Sequence, residues 1–75
     1  MRDKLVAILK SVARKDDVPG AAESLFETGF LDSFALTDMV GAIEVEFEIK
    51  VPDKDLNPRK FDTIEKIEAY IEGRR

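Results

Sequence analysis

The sequence predicts an all-α domain of three main helices and one short helix, with a long loop between the first and the second. Two observations carry that prediction. Three segments repeat apolar residues at the period of a helix packed on one face. The one segment that alternates charged and apolar residues, 44–51, has no second strand to pair with, so a strand there would leave its backbone groups unsatisfied. At 75 residues the chain is expected to be a single domain, residues 1–75, with one small core of modest stability.

The first helix is expected over Arg2 to Arg14, where Leu5, Ile8, Leu9 and Val12 form one stripe and Lys10, Arg14 and Lys15 gather at the negative end of the dipole. Pro19-Gly20 then stops the helix. The connection from Asp16 to Leu31 is long for so small a domain, which marks a loop as disordered or functional; its Leu25, Phe26, Phe30 and Leu31 favour an ordered, functional one. The second helix is expected to begin at Asp32 or Ser33, both good caps, and to run to about Phe47. Leu36, Met39, Val40, Ile43 and Phe47 share one face of it. Glu48 to Val51 reads as an extended exit towards Pro52, and Asp53 to Phe61 as a short helical turn anchored by Leu56 and Phe61. The last helix starts near Thr63, capped either by Asp62 paired with Glu65 or by Thr63. Ile64, Ile67 and Ile71 form its buried stripe and Gly73 is expected to end it.

Composition excludes several function classes. With 44% hydrophobic and 37% charged residues the chain should be globular rather than disordered. It has no cysteine, hence no disulfide or thiolate metal site, and no apolar run long enough for a signal peptide or a membrane span, so a monomeric, cytoplasmic protein without membrane insertion is expected. Between Asp16 and Glu48 there are nine carboxylates and no lysine or arginine, while the flanks hold the other seven acids and all twelve bases. A middle of −9 against flanks of +5 repels nucleic acid and steers basic partner surfaces towards the middle.

Within that acidic stretch lies Gly29-Phe30-Leu31-Asp32-Ser33-Phe34, which sets one hydroxyl at the mouth of a helix. A serine nucleophile needs a base, yet the chain has no histidine and no cysteine, and Ser33 lacks the second glycine of a nucleophile elbow. Self-catalysed chemistry is therefore not expected, and neither is enzyme activity. A helix N-terminus does suit a phosphate, so Ser33 reads as an attachment point.

With Asp32-Ser33-Phe34 opening a helix, the Glu46 to Pro52 exit, Asp62-Thr63 before the last helix and Tyr70-Ile71 near the end, the chain resembles the acyl carrier proteins, a four-helix phosphopantetheine-binding family. Phe34 stands where that family's motif has leucine. The resemblance implies that a phosphopantetheinyl transferase attaches 4′-phosphopantetheine to Ser33. The arm then carries acyl or aminoacyl groups as thioesters to enzymes of fatty-acid, polyketide, peptide or envelope biosynthesis. It also implies that Asp32 helps position the transferase and its metal; on helix statistics alone Asp32 is equally an N-cap. Ala35 and Gly41 replace an acidic and a bulky apolar residue of fatty-acid carriers, and the motif region looks closer to free-standing carriers such as D-alanyl carrier proteins.

A helical wheel assigns a partner face to the second helix. Phe34, Thr37, Asp38, Gly41, Glu44, Val45 and Glu48 lie away from the buried stripe, a small apolar strip edged by carboxylates that suits a basic docking surface on the loading and transferring enzymes. Asp53-Lys54-Asp55 fails as a calcium loop, because Pro58 and Ile64 stand where glycine and a bidentate glutamate are needed; no specific metal site is expected. The alternative from another class is a small acidic helical interaction module without a prosthetic group.

Overall fold

A computed structural model describes residues 1–75. Helix α1 (Arg2–Ala13) buries Leu5 and Leu9 completely, with Ile8 and Val12 half-buried beside them. It ends where Arg14 turns left-handed, φ 57°, and returns its N–H to the Lys10 carbonyl at 2.8 Å. α1 packs on both other helices, α2 (Ala35–Phe47) and α3 (Ile64–Arg74). The bidentate pair of Arg2 with Glu68, at 2.9 and 2.7 Å, ties its start to α3.

The long loop is ordered by the anchors its sequence carries. Leu25, Phe30 and Leu31 are buried, and the chain around them is fastened to the start of α3. Ser24 Oγ donates to Asp62 Oδ1 at 2.6 Å, Leu25 N–H to the Asp62 carbonyl at 2.6 Å, and Glu65 N–H to the Ala21 carbonyl at 3.1 Å. Because Asp62 is engaged by Ser24, the α3 cap falls to Thr63, whose Oγ1 accepts from Lys66 N–H at 3.0 Å. The expected pairing of Asp62 with Glu65 is not made.

Helix α2 buries Leu36, Met39, Val40 and Ile43, while Phe47 is only half-buried. The alternating segment 44–51 is helix followed by extended chain. Glu48 adopts φ 55°, a left-handed turn costing a non-glycine residue about 1 kcal/mol, and this turn drops both Ile49 and Val51 into the core.

The helix count and the end of α3 depart from expectation. The fourth helix is reduced to a 3₁₀ turn, Asp53–Asp55, followed by turns to Phe61, so the fold is three α-helices and one 3₁₀ turn. The cause is Pro58, whose ring cannot follow an α-helical turn built on Lys54. Gly73 does not end α3, which runs to Arg74; a single glycine near a helix end costs too little to stop it.

Candidate functional site

The ribbon leading to Ser33 is held from both sides. Phe30 and Leu31 are buried, Leu31 N–H donates to the Leu25 carbonyl at 2.9 Å, and Gly29 at φ 82° makes the turn that a side chain would strain. From outside, Lys15 Nζ donates to the Gly29 carbonyl at 2.8 Å and reaches the Phe30 carbonyl at 3.4 Å.

Regular helix begins at Ala35, later than Asp32 or Ser33. Asp32 nevertheless supplies the cap, because its Oδ1 accepts from Ala35 N–H at 2.8 Å, and Ser33 and Phe34 form the turn between them. Ser33 is exposed and its hydroxyl is left free of capping duty. The N–H groups of Ser33 and Phe34 have no acceptor within the chain. An exposed hydroxyl beside unpaired amides at the positive end of α2 fits a phosphodiester.

The outward face of α2 is largely as the wheel places it. Phe34 is 88% and Val45 81% exposed; eleven residues of helix set them about 16 Å apart. Thr37, Asp38 and Glu48 are exposed, and Gly41 is half-buried with nothing within 4 Å of where a Cβ would stand. Glu44 is half-buried and has a structural engagement that the wheel does not show. Its Oε2 accepts from Val51 N–H at 2.8 Å and its carbonyl accepts from Glu48 and Ile49 N–H, so it staples the exit of α2.

Several groups escaped the sequence reading. Asp55, rejected above as a calcium ligand, is buried, with Oδ1 taken by Lys60 Nζ at 2.8 Å and Oδ2 by the Tyr70 hydroxyl at 2.7 Å. The Lys60 and Tyr70 hydrogen bonds hold its carboxyl below the ordinary range, and burial, with Asp55 next, pushes the Tyr70 phenol up. Phe61 packs against Tyr70 in a tilted pair, 5.0 Å between ring centres and 60° between planes. Nor is the acidic middle free of bases, since Lys15 reaches its backbone and Lys4 pairs with Glu46 at 3.5 Å. Only Lys15 had a signal in sequence, as the last base before the acidic run.

A three-helix domain that offers an exposed serine beside unpaired amides at a helix mouth has the form of a prosthetic-group carrier. Residues 3–71 match the family described as Phosphopantetheine attachment site, and the chain belongs to that family. It is 28% identical over 73 residues to the D-alanyl carrier protein of Leuconostoc mesenteroides subsp. mesenteroides, covering 97% of this chain and 94% of the relative. Against the D-alanyl carrier proteins of Lactobacillus acidophilus and Lactobacillus helveticus it is 32% identical over 66 residues, 88% of this chain and 84% of each relative. The protein is thus a carrier with a covalent 4′-phosphopantetheine arm, served by a phosphopantetheinyl transferase and by enzymes that load and unload it. Family membership decides against the interaction module that lacks a prosthetic group.

Proposed function

We propose that Ser33 is the attachment residue and that the cargo is a small aminoacyl group, D-alanyl in particular. The observation that carries the attachment is the free Ser33 hydroxyl, held out of the core by buried Phe30 and Leu31 on one side and by the Asp32 cap on the other. The relatives' name, D-alanyl carrier protein, supports the cargo, as do Ala35 and Gly41, which differ from the fatty-acid carriers.

The arm, once bound, supplies a thiol that holds the cargo as a thioester. The chain's own residues do the rest. Asp32 fixes the turn that presents the Ser33 oxygen, and its second carboxylate oxygen is available to the metal of the transferase. The Ser33 and Phe34 amides donate to the phosphate. Phe34, Thr37, Asp38, Gly41, Val45 and Glu48 offer a basic enzyme surface an apolar strip edged with charge, with Glu44 contributing only its field. On this reading the protein is a carrier and not a catalyst, works as a single-domain cytoplasmic monomer, and binds neither nucleic acid nor membrane.

Incubation with coenzyme A, magnesium and a promiscuous phosphopantetheinyl transferase tests the attachment by intact mass. The wild type should gain one phosphopantetheinyl group and Ser33→Ala none; an adduct on Ser33→Ala would remove Ser33 from the reading. Loading of the holo form by an adenylating enzyme with D-alanine, against acylation with a medium-chain fatty acid by an acyl-carrier synthetase, tests the cargo. Efficient acylation without D-alanylation would contradict it.

A further inference from the structure

We infer that Lys15 is a positioning residue for the loading of Ser33, an inference that rests on the assignment of Ser33 above. Lys15 is the base that hydrogen-bonds the ribbon before Ser33, and it pairs not with the neighbouring carboxylates of Asp16 and Asp17 but with two backbone carbonyls, Gly29 at 2.8 Å and Phe30 at 3.4 Å. One ammonium reaches both carbonyls at a turn where Gly29 stands at φ 82°. Phe30 and Leu31 pin the inner side of the ribbon, and Leu31 N–H is closed on the Leu25 carbonyl. The ammonium closes the outer side. Four residues after Gly29 the chain presents the Ser33 hydroxyl.

A charged donor on neutral carbonyls makes one of the stronger hydrogen bonds available to an exposed segment. Its loss raises the population of an open ribbon in which Asp32 and Ser33 are not set for the transferase. Binding then weakens by the fraction still closed, because only that fraction is competent. The bound complex re-forms the ribbon, so the turnover step is spared.

The competing account, in which Lys15 acts only as a charge, predicts the opposite sign. The surface around Ser33 is acidic and attracts a basic transferase, so removing a positive charge would speed association. Lys10 provides the control. It is exposed on α1, and the ribbon carbonyls are bonded by Lys15 and not by Lys10, so Lys10→Met removes the same charge without removing that bond.

The experiment is steady-state phosphopantetheinylation by intact mass for wild type, Lys15→Met, Lys15→Arg and Lys10→Met, paired with amide hydrogen exchange. Lys15→Met should lower kcat/KM by about three- to tenfold through KM, with kcat unchanged and with faster exchange at Leu31 but not along α3. Lys15→Arg, whose guanidinium spans two carbonyls, should restore most of the loss. Lys10→Met should load at the wild-type rate or faster. A purely structural role would lower the melting temperature without moving KM at 25 °C, and that result overturns the inference. So does a KM for Lys15→Met equal to that of wild type or Lys10→Met. A wild type that takes up no pantetheine overturns the Ser33 assignment instead, and the inference falls with it.

Discussion

At the scale of single residues, one pair of substitutions separates the cap that Asp32 makes from the transferase role proposed for it. Its carboxylate caps Ala35 N–H at 2.8 Å, and the same group is available to the transferase metal. Asn caps a helix as well as Asp does, whereas Ala does not. Asp32→Asn should therefore keep the stability of the wild type while slowing phosphopantetheinylation, because the neutral amide is a poor magnesium ligand. Asp32→Ala should lose about 1 kcal/mol of stability as well, read from urea midpoints. If Asp32→Asn loads as fast as the wild type, the residue is a cap and nothing more. The cap was visible in the sequence, because a carboxylate before a helix has a known geometry; the metal role came only from the family resemblance. The grip of Lys15 on Gly29 and Phe30 was not visible, since a lysine's reach across 14 residues depends on how α1 and the loop are set in space.

At the scale of elements, the exit of α2 shows why a periodic pattern can mislead. Alternation over 44–51 has two physical sources, the outer face of a helix up to Phe47 and an extended exit beyond it, joined by the left-handed Glu48. The sequence placed the three helices and their buried faces because the 3.6-residue period needs only local order. It put the start of α2 too early and ended α3 at Gly73, whereas the 53–61 segment, read as a short helical turn, opens with a 3₁₀ turn and continues as turns. Glu44, read as a docking residue from its angle on the wheel, also staples Val51, a contact that the helical period alone does not show. Glu44→Gln retains an acceptor and should leave stability nearly unchanged, whereas Glu44→Ala should cost about 1 kcal/mol by freeing a partly buried N–H. Gly41→Ala, with open space where its Cβ would stand, should gain about 0.5 to 1 kcal/mol. Thermal or urea unfolding of the three variants checks the set, and a destabilised Gly41→Ala would mean that the backbone there needs freedom that the helix conceals.

At the scale of the whole molecule, the segment 49–61 has little regular structure of its own and is held to α3 by side chains. Asp55 receives Lys60 and Tyr70, Phe61 packs against Tyr70 in a tilted pair, and Arg74 Nε donates to the Lys50 carbonyl at 3.2 Å. This clasp titrates at both ends of the pH range. The Asp55 carboxyl is held below its unfolded value by Lys60 first and Tyr70 second. Its contribution is therefore complete above about pH 4 and is lost as pH falls through the lowered folded value. Glu68, held down chiefly by the hydrogen bond from Arg2, adds a second loss in the same acid window at the α1–α3 contact. The Tyr70 phenol is raised by burial and then by Asp55, so its contribution is complete below about pH 10 and is lost as pH rises through the folded value. The wild type should thus outlast Asp55→Asn at neutral pH, and the gap between their urea midpoints should narrow below pH 4. Tyr70→Phe should likewise be less stable than the wild type at pH 7 and should approach it above pH 10. Fluorescence of the single tyrosine follows the wild type and Asp55→Asn, and far-ultraviolet circular dichroism follows Tyr70→Phe. A gap between wild type and Asp55→Asn that stayed constant from pH 7 to pH 2 would show that the Asp55 charge does not hold the clasp, and that shape complementarity between Phe61 and Tyr70 closes the segment on α3 without it.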